Sequence, residues 1–191
     1  MSQIGLFFGS FNPIHIGHLV IANVILGISK LDEIWFVVSP KSPFKKSKSL
    51  LHDFDRLDMV RAAIHDHLVF RAIDVEFQMP RPSFTYDTLI ELKSRYPKKS
   101  FKLIIGEDNL SHFHKWKNHI FILEKYGLIV YPRPNSKPTS YLNHINVDFV
   151  DAPIMNISAS AIRQMILNKM SVRYLVPEPV LKIIENRNLF I

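Results

Sequence analysis

GSFNPIHIGH, residues 9 to 18, follows the apolar run IGLFF at 4–8 and precedes an apolar stretch, IGHLVIANVILGI, at 16–28. The order reads as a buried strand, a small-residue turn and a mostly buried helix. Gly9 and Ser10 leave the strand, and Gly17 lets a ligand or a backbone approach the start of the helix. A helix start offers free N–H groups and partial positive charge, which suits phosphate. His15 and His18 sit three apart in that turn, and their ring N–H groups can donate to phosphate oxygens, more strongly if protonated. A metal reading needs a third ligand at organised spacing. HFH at 112–114 could supply one, but no HExxH-type pattern accompanies it. A core role for both histidines fits poorly with a polar, glycine-bounded loop.

The same alternation continues outward. EIWFVVS (33–39), one or two short strands in LVFRAIDVEF (68–77), FKLIIG (101–106), GLIVYP (127–132) and HINVDFVD (144–151) read as strands. Helices are expected from Phe54 to about His65, from Thr85 to about Tyr96, in KNHIFILEKY (117–126), and near 158–168 and 178–187. Asp53 and Thr85 are the expected caps, and Phe54, Leu57, Val60 and Ile64 the expected inner face of the 54–65 helix. A single domain over 1–191 follows, of α/β class. The expected architecture is a Rossmann-like, doubly wound, mostly parallel sheet with helices on both faces. In such sheets ligands sit beyond the carboxyl ends of the strands, where the strand order reverses. Four segments fall there: 9–18, 40–48, 106–109 and NISASAIR at 156–163.

In NISASAIR, Ser158 or Asn156 can cap the helix, small side chains leave its first turn open, and Arg163 offers a permanently charged planar fork. With His15 and His18 it makes a polyphosphate site. Composition agrees. The chain of 191 residues carries a formal charge of +7, with 47% hydrophobic residues and no cysteine. An anionic partner is favoured, and disulfides and thiolate metal sites are excluded. The N-terminus shows no signal-peptide pattern and no run of about 18 apolar residues occurs, so a cytoplasmic protein without a membrane partner is expected. The basic run KSPFKKSKS at 41–49 allows a nucleic-acid-binding module as a remote alternative. No RNP-like or helix-turn-helix pattern supports it, and a nucleic-acid partner is not expected. GxxxxGK[ST], GxGxxG and GxSxG are all absent. Positioning and charge stabilisation, rather than covalent catalysis, are therefore expected.

GSFNPIHIGH resembles the (G/T)xFxPxHxGH signature of the nucleotidyltransferase α/β-phosphodiesterase superfamily, and ISASAIR resembles its second signature, ISxTxIR. Within that superfamily RPSFTYDTL (81–89), IIGEDNL (104–110), KW (115–116), YPRP (131–134) and the closing LVPEPVLKIIENRNLF are similar to bacterial nicotinate-nucleotide adenylyltransferases. The resemblance implies adenylyl transfer from MgATP to nicotinate mononucleotide, giving deamido-NAD and pyrophosphate, a step of NAD biosynthesis. The Mg²⁺ would be carried by ATP, with no metal site of the protein's own. The resemblance implies catalytic roles for His15, His18 and Arg163. The ATP site would include Gly9, Ser10, Phe11, Gly17, Gly106, Asp108, Asn109, Arg133, Ser158 and Ser160. Asp108 would accept from the ribose hydroxyls, and Arg133 would lie against the adenine. Lys45 and Lys46 would reach the mononucleotide phosphate, while Phe84, Thr85 and Trp116 would meet the pyridine and its carboxylate. The chain departs from the family pattern at Phe8, Asn12, Ser160 and Phe44, the last standing where a histidine is expected. An adenylyltransferase for nicotinamide mononucleotide, or for another phosphorylated acceptor, is the alternative.

Overall fold

The computed structural model describes residues 2–40, 50–134, 136 and 139–191. The run KSPFKKSKS, with Phe44, Lys45 and Lys46, lies outside them. Six strands form one sheet: β1 (Gln3–Gly9), β2 (Glu33–Val38), β3 (Phe70–Ile73), β4 (Ser100–Gly106), β5 (Leu128–Tyr131) and β6 (Val147–Phe149). Their spatial order is β3-β2-β1-β4-β5-β6, and every neighbouring pair is parallel. The order reverses between β1 and β4, where Phe7 stands opposite Ile104. A crevice opens at such a reversal because the two crossover helices depart to opposite faces.

Strand alternation sorts the core into two layers. Phe7, Ile34, Phe36, Val38, Ile104, Ile129 and Tyr131 face one side. There they meet α1 (Ile16–Ile28), α2 (Asp53–Ala63), α6 (Ala159–Leu167) and α7 (Glu178–Asn186). Ile4, Leu6, Trp35, Val37, Leu103, Ile105, Leu128 and Val130 face the other side, against α3 (Thr85–Arg95) and α5 (His119–Lys125). Odd and even positions of one strand thus feed different cores, as the period of two requires. Both faces are apolar, so the strands read as continuous hydrophobic runs, as they do in parallel sheets.

Three expectations are corrected here. The cap of α2 is His52, whose Nδ1 accepts from the Phe54 N–H at 3.4 Å. Asp53 is instead drawn into ion pairs with Arg56 and Arg81. Phe54 is 58% exposed, and Arg56 and Met59 are buried with Leu57 and Val60, so the inner face is rotated from the expected one. Thr85 is the first residue of α3 rather than its cap; Phe84 takes the extended cap conformation without a side-chain bond. The 68–77 segment holds one strand, β3, within the one or two expected, and it is followed by a 3-10 turn over Val75–Gln78. A four-residue helix α4 (Glu107–Leu110) and a 3-10 turn Phe113–Lys115 were not expected at all.

Candidate active site

The first half of the site is the turn after β1. The Gly9 carbonyl accepts from the Ser39 N–H at 2.9 Å. A Cβ on Gly9 would come within 2.8 Å of the Phe11 ring, so only glycine fits without displacing that ring. Phe11 itself has φ of 43°, and its ring packs against Phe7, Phe36 and His18. What Phe11 leaves for a ligand is therefore backbone. His15 is the cap residue of α1. Its N–H donates to His18 Nδ1 at 3.2 Å, which in the neutral ring places the His18 proton on Nε2. The two rings lie 3.7 Å apart and tilted by 31°. His15 is 5% exposed, and its Nδ1 has no hydrogen-bond partner among the described residues. Gly17 makes room for that ring; a Cβ there would stand 3.1 Å from Nδ1. Burial, and then the positive charge of Arg133, lower the His15 pKa from 6.5 to about 4. His15 is thus neutral at pH 7, and the protonated form considered from sequence does not apply to it.

The second half arrives from far along the chain. Ser158 caps α6, its Oγ accepting from the Ala161 N–H at 3.1 Å. Arg163 donates from Nη1 to the Asn12 carbonyl at 2.8 Å and from Nη2 to Ser160 Oγ at 3.3 Å. The Asn12 side chain accepts from the Leu51 N–H at 3.2 Å. His15, His18, Ser160 and Arg163 are thereby gathered on the 9–18 turn. Ser158 and Ser160 are exposed, and Arg163 is partly buried.

At the end of β4, Gly106 leads directly into α4. A Cβ on Gly106 would collide with the Asp108 carboxylate and stand 3.0 Å from Arg133 Cγ. Asp108 Oδ1 lies 3.7 Å from Arg133 Nε, and the Arg133 guanidinium stands 5.9 Å from the Tyr131 ring centre. Asn109 reaches the same carboxylate at 3.5 Å. Burial pushes the Tyr131 phenol up to about 12, so it keeps its proton.

Between the ends of β1 and β4 and the start of α3 lies a cavity of about 190 Å³. Gly9, Ser10, Gly106 and Asn109 line it, together with Phe84, Thr85 and Trp116. Trp116 is half-buried, packed 5.4 Å from Phe113. Lys117 joins the two walls. Its ammonium contacts Asp87 of α3 at 2.8 and 2.9 Å and lies 5.4 Å from the Phe84 ring and 5.6 Å from that of Tyr86. His15, His18, Asp108, Arg133, Ser158, Ser160 and Arg163 do not line this cavity; they form the adjoining group on and around the 9–18 turn. Lys45 and Lys46 lie outside the described residues.

Sequence reasoning missed Glu76 and Arg56. Glu76 is 2% exposed and lines the cavity, accepting from Ser83 at 2.8 Å and Thr88 at 2.7 Å. Burial raises its pKa, and the hydroxyls of Thr88, Ser83 and Ser39 oppose that rise. Arg56 is fully buried beneath the Ser10 turn. Neither belongs to a motif, and nothing in the pattern of an amphipathic helix announces an inward arginine. Among the described residues no group of three or more His, Cys, Asp or Glu side chains could hold a metal ion. The Phe113 of the HFH run is buried. No helix among the described residues is long and apolar enough to cross a membrane.

Residues 6–165 match the sequence model of the cytidylyltransferase-like family. A probable nicotinate-nucleotide adenylyltransferase of Cytophaga hutchinsonii is 54% identical over 188 residues, covering 98% of each chain. One of Flavobacterium psychrophilum is 44% identical, again over 98% of each chain. The Plasmodium falciparum nicotinic acid mononucleotide adenylyltransferase complexed with NaAD superposes with a TM-score of 0.84 at 20% identity, over 100% of this chain and 98% of that one. The last likeness is one of fold.

Proposed function

The chain belongs to the cytidylyltransferase-like family and, within it, to the nicotinate-nucleotide adenylyltransferases, and on that premise we propose that its cleft transfers the adenylyl group of ATP to nicotinate mononucleotide. An oxygen of the mononucleotide phosphate attacks the α-phosphorus. The bond from that phosphorus to the oxygen bridging to the β-phosphorus breaks, and pyrophosphate leaves with its electron pair. Deamido-NAD is the other product. No covalent enzyme intermediate is needed, and no protein nucleophile is assigned.

The observation that carries this reading is a His18 ring whose tautomer is set, standing beside an Arg163 tied to the same turn and a buried His15 whose Nδ1 has no partner among the described residues. His18 Nε2–H serves as the donor to the α-phosphate as negative charge concentrates there. Arg163 and the hydroxyls of Ser158 and Ser160 hold the outer phosphates. Asp108 accepts from the ribose, and Arg133 shifts from it to lie along the adenine. Mg²⁺ would enter with the substrate as MgATP, coordinated by the phosphates.

At the other end Trp116 stacks on the pyridine ring, and the N–H groups around Phe84 and Thr85, at the start of α3, receive its carboxylate. Lys45 and Lys46 are assigned to the mononucleotide phosphate on charge alone.

The test incubates purified protein with MgATP and, in parallel, nicotinate mononucleotide, nicotinamide mononucleotide or phosphopantetheine, reading pyrophosphate and product mass. Deamido-NAD formed well ahead of the other products is expected. NAD as the main product would keep the transfer chemistry and overturn the acid-selective pocket. No pyrophosphate with any acceptor would overturn the proposal.

A further inference from the structure

Arg56 makes five hydrogen bonds from a side chain with no exposed surface. Nη1 donates to the carbonyls of Ser10 at 2.6 Å and Ser39 at 2.7 Å. Nη2 donates to the Pro40 carbonyl at 3.1 Å and to Asp53 Oδ1 at 2.6 Å, and Nε to the Leu51 carbonyl at 3.2 Å. A guanidinium has five N–H donors, so all are used. Four of the five acceptors are main-chain carbonyls. Burial lowers the Arg56 pKa, and Asp53 raises it. Burying such a pair gains little stability over a well-packed apolar side chain, so net stability is a poor reason for its presence. Orientation is a better one.

The Ser10 carbonyl belongs to the peptide unit whose N–H is that of Phe11. That unit is planar, and in the trans form its C=O and N–H point opposite ways. With the carbonyl gripped from below by Arg56, the Phe11 N–H is turned away from the arginine. The preceding unit is fixed as well, because the Gly9 carbonyl accepts from the Ser39 N–H at 2.9 Å, and Ser39 is itself held by Arg56 through its own carbonyl. Phe11 sits at φ 43°, a conformation that a bulky residue keeps only where its surroundings impose it. Gly9 and Ser10 line the cavity. We infer that Arg56 is a positioning residue for nucleotidyl transfer: it sets the peptide planes of residues 9–11 that face the nucleotide, and it acts through that backbone rather than by touching substrate. The inference rests on the nucleotidyl-transfer reading above.

The test uses Arg56→Lys and Asp53→Asn in the full chain, with pyrophosphate release and thermal midpoint measured on the same preparations. Lysine keeps the charge beside Asp53 but has three donors and no planar fork. Arg56→Lys is expected to lower kcat about 30-fold, with both KM values within about threefold and the protein folded at assay temperature. Asp53→Asn keeps all four carbonyl bonds; its kcat should stay within about threefold, although its midpoint falls. A folded Arg56→Lys with kcat within twofold of wild type overturns the inference. So does an Asp53→Asn whose kcat falls along with its stability, the outcome that still decides the matter should Arg56→Lys not fold. Wild-type protein that releases no pyrophosphate would instead defeat the reading on which this rests.

Discussion

The two ends of the cleft are built in contrasting ways. The end proposed for the phosphates hangs on ten consecutive residues, 9–18, whose Ser10 carbonyl is held by Arg56 and whose Asn12 carbonyl is held by Arg163. The end proposed for the pyridine has no such stretch. Its walls come from the Ser83–Tyr86 segment, the Trp116–Lys117 pair and Glu76, and they are joined by an exposed ion pair and a buried carboxylate. The first end is a rigid turn with its polar atoms already aimed. The second is an assembly whose geometry depends on several side-chain contacts. Chemistry that must place one phosphorus to within a fraction of an ångström is expected at the first. Discrimination between acceptors is expected at the second.

The largest expected effect tests the rigid end. His18→Ala should lower kcat by about 10²–10³-fold in a protein that is still folded at assay temperature, its thermal midpoint lowered because the His15 N–H loses its acceptor and the ring its packing against Phe11. Unaltered turnover in a folded variant would remove His18 from the mechanism. Arg163→Ala should cost about 10–100-fold in kcat/KM for ATP, the worth of one or two charge-assisted bonds. An equal loss in kcat/KM for the mononucleotide at saturating ATP, with ATP affinity unaffected, would erase the contrast between the ends. Trp116→Ala should raise KM for nicotinate mononucleotide about 10-fold and leave KM for ATP alone, in line with the usual worth of ring stacking. A change confined to ATP would place the pyridine elsewhere.

A fourth prediction concerns pH. The His15 pKa lies near 4 in the fold against 6.5 for the free side chain, so the unfolded chain binds the extra proton first as pH falls. The stability contribution is fully present above about pH 6.5 and is lost on the way down to about 4, on the order of 3 kcal/mol. His15→Asn should lack that component, and urea midpoints measured across this interval would reveal it. Parallel curves for the two proteins would contradict a buried neutral ring. The smallest effect belongs to the looser end. Lys117→Met should cost at most about 1 kcal/mol of stability, since its pair with Asp87 is exposed, yet it should alter KM for the mononucleotide more than KM for ATP. Equal changes in both would mean that Lys117 does not shape the acceptor wall.

The same contrast explains what could be read without coordinates. The strand, turn and helix around GSFNPIHIGH, the bounds of α1 at Ile16–Ile28 and the Ser158 cap were all legible, because local propensity and burial agree there. His52 displaced Asp53 as the cap of α2 because Asp53 is drawn into pairing with arginines 56 and 81, and the second of these is far along the chain. Phe54 points outward, stacked on His52 and edge-on to Phe77, and arginine takes an inner position that hydrophobic periodicity reserves for an aliphatic side chain. Thr85 reads as a cap from its type alone, but its hydroxyl is not used for one. Glu76 was invisible for a similar reason: a lone acid gains meaning only when Ser83 and Thr88 turn toward it.

The bond from Arg163 to the Asn12 carbonyl joins positions 151 residues apart. Contacts of such long sequence separation form late, since the chain between them must be ordered first. A ribosome that has released only the first five strands has made the histidine turn but not the helix whose Arg163 binds it. With Ser158, Ser160 and Arg163 in the roles proposed above, protection by ATP against proteolysis should therefore appear only once α6 has emerged and docked.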